Sequence, residues 1–234
     1  TWYYGIPSSS SHALIGGLIG ASISKAGYGV VHVNGVVRKV LMPMVTSPLI
    51  GFAIGFLCMV IILWVCARAN PNVVNKYFRK LQLISSGVMA LSHGSNDAQK
   101  TMGIITLALV SYHTLPTFEV PYWVILGCAV TMGLGTMAGG WRIIRTMGSK
   151  MIKLKPVHGF AAETAAAAVI LSASHFGIPV STTHIISTSI MGVGSTKGVH
   201  ALKWGIVTNI VMAWVLTIPV CILIAAILYR ILPV

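Results

Sequence analysis

The sequence predicts an all-α fold, a polytopic bundle of transmembrane helices with an inverted repeat and with helices that break or re-enter at membrane depth. Three observations lead to this prediction. Apolar residues make up 56% of the 234 residues and charged residues only 8%, whereas a soluble domain carries about 25% charged residues. Several apolar runs are long enough to cross a bilayer, and a short motif near residue 5 returns near residue 177. The composition also excludes a disordered chain, which would be poor in apolar residues.

The formal net charge of +13 comes from 16 basic and three acidic residues. The basic residues lie in short gaps between apolar runs, most densely in segments 68–80 and 142–155. A nucleic-acid-binding protein would gather them on one face, so we expect no nucleic acid among the partners. Because short basic loops mark the cytoplasmic side of a membrane, we place these two segments in the cytoplasm and segments 24–40 and 114–119 outside.

Three uninterrupted apolar runs predict membrane-spanning helices, at 41–67, 120–141 and 204–229. Each is long enough, because a helix needs about 20 apolar residues to cross the hydrocarbon core. Trp204 and Tyr229 stand at the ends of the third run, where aromatic residues anchor a helix at the membrane interface. The four cysteines fall inside apolar runs and form no CxxC pair, so we expect neither a metal site nor a disulfide framework from them.

Two further apolar runs, 81–110 and 156–194, are interrupted by polar residues and glycine. The first contains SHGSND at 92–97, and the second contains GIPVSTTH at 177–184. Irregular backbone at membrane depth is tolerated only where neighbouring protein or a water-filled cavity satisfies the exposed amides. We therefore predict that both segments are helices broken at these positions.

The segment GIPSSSSH at 5–12 is a second copy of GIPVSTTH at 177–184, with five of eight positions identical. Three single crossings and one segment that enters and returns, 156–194, would separate the copies. The single crossings are 41–67, 81–111 and 120–141. An odd number of crossings predicts that the copies point in opposite directions. Inverted repeats are typical of secondary transporters, whose substrate site lies near the midplane at the repeat interface.

This count divides the chain into four parts. They are the end of a first inverted repeat (1–24), a connecting segment with one span and a basic loop (25–80), a second repeat (81–196) and a C-terminal span (197–234). The chain begins at Thr1 without an initiator methionine and without a signal-type stretch. We therefore expect it to be a piece of a longer protein.

Both copies of the motif predict a helix start that carries three consecutive hydroxyl side chains. Proline favours the first turn of a helix, and serine or threonine is preferred at the N-cap. The free N–H groups and the positive dipole end of such a start bind anions, so two converging starts would suit a tetrahedral oxyanion. The alternative for each copy is a plain helix cap whose hydroxyls bond back to the backbone. The hydroxyl residues are Ser9, Ser10 and Ser11 in the first copy and Ser181, Thr182 and Thr183 in the second.

Two of the three acidic residues, Asp97 and Glu163, lie in the interrupted apolar runs, where a carboxylate indicates function. Asn96 and Asp97 offer hard oxygen ligands for Na⁺, and Asp97 could instead take up a proton. Asp97 could also pair with Lys100 at i,i+3 on one helix face, and Glu163 could form a salt bridge near the interface. The third acid, Glu119, follows a short polar stretch and is expected in a solvated loop.

His12 and His184 occupy equivalent positions after the hydroxyl triplets. They could donate to a bound anion, although a buried, hydrogen-bonded structural role is the expected one. Ser181, His184 and Asp97 could in principle form a hydrolase triad. We do not expect an enzyme, because no nucleophile elbow is present and the hydroxyl triplet is duplicated. A channel is disfavoured because no ring of repeated charges or carbonyl motifs is visible.

Together these motifs resemble the PiT-type inorganic phosphate transporter family. The resemblance rests on GSND at 94–97 with the following AQKTMG, on the segment 158–168, and on GIPVSTTH at 177–184, in this order. The family has two inverted copies, each with a GxND-type and a later Pro-x-Ser-Thr-Thr-His-type motif. This chain holds the complete second copy and only the last motif of the first. It departs from the pattern by having serine at all four positions 8–11, which implies a changed fit around the same hydroxyl count.

The resemblance implies a multi-pass plasma-membrane protein that imports inorganic phosphate by symport with Na⁺ or H⁺, without a further cofactor. A permease for sulfate or another oxyanion is the alternative. The partners expected are phosphate, the coupling cation and the lipid bilayer, and a homo-oligomer stays open. The implied phosphate site is Ser9, Ser10, Ser11, Asn96, Asp97, Ser181, Thr182 and Thr183. The implied coupling-cation residues are Asn96, Asp97 and Glu163, with Asp97 and Glu163 as the metal ligands if the ion is Na⁺.

Overall fold

The computed structural model describes residues 1–232 and confirms the all-α fold. π-Helical turns at Val37–Leu41 and Thr146–Met151 join α2 to α3 and extend α6. Residues 233 and 234 of the predicted C-terminal segment lie outside the described residues. The helices are α1 (Ser10–Ala26), α2 (Val33–Val36), α3 (Met42–Val65), α4 (Pro71–Ser111), α5 (Tyr122–Ala138), α6 (Trp141–Arg145), α7 (Pro156–His175), α8 (Thr182–Ser195) and α9 (Trp204–Ile231).

Two of the three uninterrupted runs predicted as spans, 41–67 and 204–229, correspond to helices that can cross a bilayer by themselves, whereas α4, predicted as a crossing at 81–111, is not among the candidates. Within residues 1–232, three helices are long and apolar enough by themselves: Val33–Val65, α7 and α9. A fourth candidate is the pair of α5 and Trp141–Met151, which is bent by 59°. The span predicted at 120–141 therefore ends early. The cause is Gly140, whose φ of 98° is a conformation that a helix does not contain.

The predicted break at 92–97 is wrong, because α4 is one continuous helix of 41 residues, roughly 60 Å long. The hydroxyl of Ser92 donates to the carbonyl of Val88 in the preceding turn at 2.7 Å, so it bonds within the helix and needs no break. A Cβ at Gly94 would meet open space. The glycine is therefore tolerated in the helix rather than required by a turn.

The predicted basic loops are also mostly helical. The segment expected as a loop at 68–80 is helical from Pro71 onward, because Asn70 caps α4 by accepting from the N–H of Asn72 at 3.0 Å. In the segment 142–155, helical structure continues to Met151. The basic residues therefore line helix ends at one side of the molecule, which we call the basic end.

The predicted break between α7 and α8 is confirmed. Residues 176–181 connect the two helices, with Gly177 at a φ of 64°. α7 leaves the basic end beside the start of α4, where the rings of Phe78 and Phe160 lie 5.2 Å apart. α8 returns to the same end, where Gly194 contacts the side chains of Ile152 and Leu202. The segment thus enters and returns as a helical hairpin.

Contacts of α1 and α8 with neighbouring elements confirm that the two motif copies run in opposite directions. α9 leaves the basic end, where the N–H of Lys203 donates to the carbonyl of Met151 at 3.2 Å. α1 runs alongside α9 in the same direction, with the hydroxyl of Ser24 on the carbonyl of Ala226 at 3.4 Å. α1 therefore runs away from the basic end, whereas α8 runs toward it.

Glycines set the closest helix contacts. A Cβ on Gly192 of α8 would overlap the backbone of Phe52 in α3, and a Cβ on Gly20 of α1 would overlap the backbone of Ile222 in α9. Small residues at such crossings allow helices to approach closely in a membrane, where the hydrophobic effect does not drive helix association. α7 follows the same rule, since most of the alanines in its central turns are buried against α3, α4 and α8.

We predict that Gly192→Ala destabilises the protein by about 1–3 kcal/mol, the usual cost of overpacking. The added methyl group would meet main-chain atoms of Phe52 and Phe56, which cannot rotate away. The matched control is Gly87→Ala in α4, where a Cβ meets open space. Chemical unfolding of both variants in detergent micelles measures the difference. Equal stability of the two variants would contradict the predicted contact between α3 and α8.

Candidate functional site

The site is built on two equivalent helix starts. Ser9 caps α1 with φ −95° and ψ 113°, and Ser181 caps α8 with φ −92° and ψ 111°. Each serine hydroxyl accepts from the N–H of the histidine three residues later, at 3.2 Å for His12 and 3.3 Å for His184. The sequence repeat is thus also a repeat of local structure, with the N-cap bond that serine typically makes.

The two starts meet side by side at the middle of the molecule. The hydroxyl of Ser11 in α1 lies 3.5 Å from the carbonyl of Val180, just before α8. The rings of His12 and His184 lie 4.8 Å apart in an edge-to-face arrangement. Because α1 and α8 run in opposite directions, their positive dipole ends converge here, which favours a bound anion.

Lys100 of α4 connects both starts. Its Nζ lies 2.7 Å from Oγ of Ser11, 2.8 Å from the carbonyl of Val180 and 3.2 Å from Oδ1 of Asp97. The predicted i,i+3 pair with Asp97 is therefore present. An ammonium group has three donors, and here each donor has an acceptor on a different element: α1, the connection into α8, and α4.

Asp97 receives one hydroxyl from each copy of the motif. Its Oδ2 accepts from Oγ of Ser10 at 3.3 Å and from Oγ1 of Thr182 at 3.4 Å. The same oxygen lies 3.4 Å from Nε2 of His93, four residues earlier on α4. The carboxylate is mostly buried, with 11% of the side chain exposed. Asp97 and Lys100 thus form a charged centre that the two repeats share.

The other predicted hydroxyl and amide residues lie around this centre in different roles. Ser9 and Ser181 are helix caps. This agrees with the alternative interpretation, in which each copy of the motif is a plain helix cap. Thr183 is partly exposed, and its side chain makes no hydrogen bond within residues 1–232. Asn96 is buried and faces α7, where its Oδ1 accepts from Oγ of Ser174 at 3.4 Å. The amide Nδ2 of Asn96 has no partner among the described residues.

Glu163 lies apart from Asp97, so the two predicted Na⁺ ligands do not form one coordination site in this structure. Its carboxylate accepts from Oγ of Ser85 at 2.5 Å and from Nε2 of Gln82 at 3.5 Å. Ser85 precedes Asp97 by 12 residues of α4, which corresponds to roughly 18 Å along the helix. Both partners are neutral, so the salt bridge proposed as the alternative for Glu163 is absent from the described residues.

Glu163 and His93 nevertheless line one groove between α4 and α5, with a volume of about 790 Å³. The sequence analysis did not identify His93 as part of the site, although its i,i+4 spacing from Asp97 would have indicated it on an unbroken helix. Gln82 and Ser85 were also missed. They carry no sequence signal, because they act only through the packing of α4 against α7.

His12 and His184 are 4% and 1% exposed, as expected for buried residues, but the expected ring hydrogen bonds are missing. Nδ1 of His12 and both ring nitrogens of His184 have no partner among the described residues. The ring of Trp214 in α9 stacks on His184 at 4.0 Å and 26°, and its Nε1 donates to the carbonyl of Pro7 at 3.2 Å. Trp214 is a further residue that the sequence analysis did not connect to the site.

The geometry does not support the hydrolase triad. The hydroxyl of Ser181 accepts from the main chain of His184, and Asp97 bonds to His93 and Lys100 instead. Among the described residues, no group of three or more His, Cys, Asp or Glu side chains could hold a metal ion. The four cysteines are unpaired and partly buried.

Comparisons with known proteins agree with the resemblance. The family described as "Phosphate transporter family" matches residues 1–225. A "Probable low-affinity inorganic phosphate transporter" of Rhizobium meliloti is 49% identical over 98% of this chain and 69% of its own length. A protein of the same description from Bacillus subtilis is 44% identical over 99% of this chain and 70% of its own length.

A solved structure described as "The sodium-dependent phosphate transporter" superposes with a TM-score of 0.86. The match covers 98% of this chain and 74% of that chain, at 23% sequence identity. At this level of identity the match supports the fold alone. It agrees with the arrangement of long apolar helices and a helical hairpin described above.

We predict that Ser9→Ala and Ser181→Ala each lower the free energy of unfolding by about 1 kcal/mol, because each removes an N-cap hydrogen bond. The control is Ser86→Ala, whose exposed hydroxyl bonds only within α4, to the carbonyl of Leu83. Unfolding midpoints in detergent micelles measure all three variants. A loss of stability in only one of the two cap variants would contradict the structural equivalence of the repeats.

Proposed function

Because this chain belongs to the phosphate transporter family, we propose that it imports inorganic phosphate across the plasma membrane by symport with a cation, Na⁺ or H⁺. It is a multi-pass membrane protein. The observation that carries the proposal is the convergence of α1 and α8, from opposite directions, on Lys100 and Asp97. Two positive helix ends and an ammonium group at one place suit an oxyanion with several negative oxygens.

The donors for phosphate would come from both repeats. The hydroxyls of Ser10, Ser11 and Thr182 already face the centre, and the first-turn N–H groups of α1 and α8 have no intrahelical acceptors. Lys100 would add a charged donor. Thr183, partly exposed on the same helix start, and the cap residues Ser9 and Ser181 complete the proposed phosphate site, with the caps holding the backbone in place.

The negative charge of Asp97 explains why a cation would be transported together with phosphate. In the structure, its carboxylate accepts the hydroxyls of Ser10 and Thr182. A phosphate anion would compete with this carboxylate for the same donors, and the two negative groups would repel each other. A cation bound to Asp97, with Asn96 as a neighbouring oxygen ligand, would offset that repulsion. Phosphate and cation would therefore bind better together than either alone.

Glu163 would act as a separate cation position nearer the basic end. It lines the same groove as His93, the partner of Asp97. A carboxylate with only neutral partners at this depth is a suitable place for a Na⁺ ion or a proton.

Alternating access would move one group of helices against another. α1 packs along α9, whereas α3, α4, α7 and α8 pack with one another. The two groups meet at the site, through Lys100, the histidine pair and Trp214. A relative movement of these groups would open and close the space between the helix starts, as expected for repeats that move around a fixed midplane site.

We predict that Asp97→Asn abolishes accumulation of phosphate against its gradient in a protein that still folds, although with a lower free energy of unfolding because Lys100 loses its charged partner. The amide keeps the shape of the side chain but removes the charge that binds the cation. Uptake of labelled phosphate into proteoliposomes measures the effect, and Glu119→Gln, which changes the loop carboxylate, is the control. Full accumulation by Asp97→Asn would contradict the role proposed for Asp97.

Separate gradients of Na⁺ and of pH across the proteoliposome membrane identify the coupling cation. A protein of the same fold is described as sodium-dependent, so Na⁺ is the first ion to test. Excess sulfate distinguishes the alternative substrate. We expect an excess of unlabelled phosphate to suppress the uptake of labelled phosphate, and the same excess of sulfate to leave most of this uptake intact. Equal suppression by sulfate would favour a general oxyanion permease.

A further inference from the structure

The pair of His12 and His184 has no role in the transport mechanism described above. The two rings come from equivalent positions of the two repeats and contact each other between the helix starts. Both are more than nine-tenths buried. Ionisable rings at the interface of two moving groups of helices are well placed to link a proton to transport.

The ring nitrogens of this pair are unusually poor in partners. A neutral imidazole has one donor and one acceptor nitrogen, yet Nδ1 of His12 and both ring nitrogens of His184 lack a partner within residues 1–232. Buried polar atoms are normally paired. Unpaired ring nitrogens therefore leave His184 free to accept a proton.

The charges that face the pair explain when such a proton would bind. The nearest charged groups are on α4: Lys100 bonds to Ser11, the residue before His12, and Asp97 accepts from Thr182, two residues before His184, while His93 contacts the far side of this centre through Asp97. α3 and α8 carry no Asp, Glu, Lys or Arg, and α7 places Glu163 toward the basic end. α1 and α9 carry Lys25 and Arg230 only in their last turns, away from the pair. Two positive helix ends and Lys100 oppose a proton on the pair as long as the anion site is empty. A bound phosphate would instead favour a proton on the pair, because the negative charge of phosphate would lie at the same helix ends.

The indole of Trp214 would stabilise a protonated His184 ring. Its indole N–H is fixed by the carbonyl of Pro7, and the face of the indole lies on the His184 ring at 4.0 Å. A cation over the face of tryptophan is attracted by the ring quadrupole. No equivalent aromatic face covers His12 among the described residues, so His184 is the better site of the two.

We propose that His184 is the group that takes up a proton when an oxyanion binds between the helix starts, so that protonation of this ring and binding of the anion are linked. The new N–H forms on a ring nitrogen of His184. The proposal rests on the proposed function, since it needs phosphate at this site. By linkage, the bound proton increases the affinity for phosphate, and bound phosphate increases the affinity for the proton. The affinity for phosphate therefore falls as the pH rises and the proton is lost.

The test is the dependence of the phosphate dissociation constant on pH, measured by calorimetry on the full chain in detergent at constant Na⁺. One linked proton changes the dissociation constant by up to about tenfold per pH unit. We expect His184→Gln to lose this contribution and Trp214→Leu to weaken it. The control His175→Gln, at the exposed end of α7, should show the same dependence of the dissociation constant on pH as the native chain. The titration of phosphate itself contributes equally to all variants.

A second measurement needs no substitution. Histidine labelled with ¹⁵N in the native chain reports ring protonation by NMR, and we expect one buried ring to become protonated on addition of phosphate at neutral pH. Equal pH slopes for the native chain and His184→Gln, or no change in ring protonation while phosphate binds, would overturn the inference and leave the proposed function standing. Absence of phosphate binding at every pH would instead overturn the proposed function and the inference with it.

Discussion

The contact of Lys100 with both helix starts is the interaction on which the rest of the structure depends. One ammonium group joins α4 to Ser11 of α1 and to the carbonyl before α8, and it neutralises Asp97. Two mostly buried charges are stable only because they are paired and hydrogen-bonded. Removing one partner of such a pair typically costs about 3–5 kcal/mol. The same pair that holds the two repeats together therefore also sets the charge at the place where they meet.

The membrane explains why these helices begin where they do. A backbone amide in the bilayer core needs a partner, yet α1 and α8 begin at the middle of the molecule. Ser9 and Ser181 satisfy one N–H at each start, and the remaining first-turn N–H groups have no partner within their own helix. Two helix ends that a soluble protein would leave to water are here turned toward each other. The ligand that we propose for them is an oxyanion with its cation.

Much of the architecture could be predicted from the sequence, since its signals are local. Hydropathy located the spans, and the repeated motif with a count of crossings gave the opposite directions of α1 and α8. The Asp97–Lys100 pair followed from i,i+3 spacing. The continuity of α4 could not be predicted, because Gly, Ser, Asn and Asp at 92–97 favour a break by local preference. The structure keeps the helix because Ser92 bonds back within it and Asp97 finds partners on other elements. The separation of Glu163 from Asp97 depended on that continuity, and the bond from Trp214 to Pro7 joins residues too far apart in the chain for any motif to indicate it.

One anion bound between the two helix starts would contact both repeats. A crystal structure of the protein with bound arsenate tests this most directly, because arsenate is a tetrahedral analogue of phosphate that anomalous X-ray scattering locates without ambiguity. We expect a single strong arsenic peak within hydrogen-bond reach of the hydroxyls of Ser10 or Ser11 in α1 and of Thr182 in α8, beside Lys100. A peak that contacts only one helix start, or one that lies in the groove beside Glu163, would contradict this expectation.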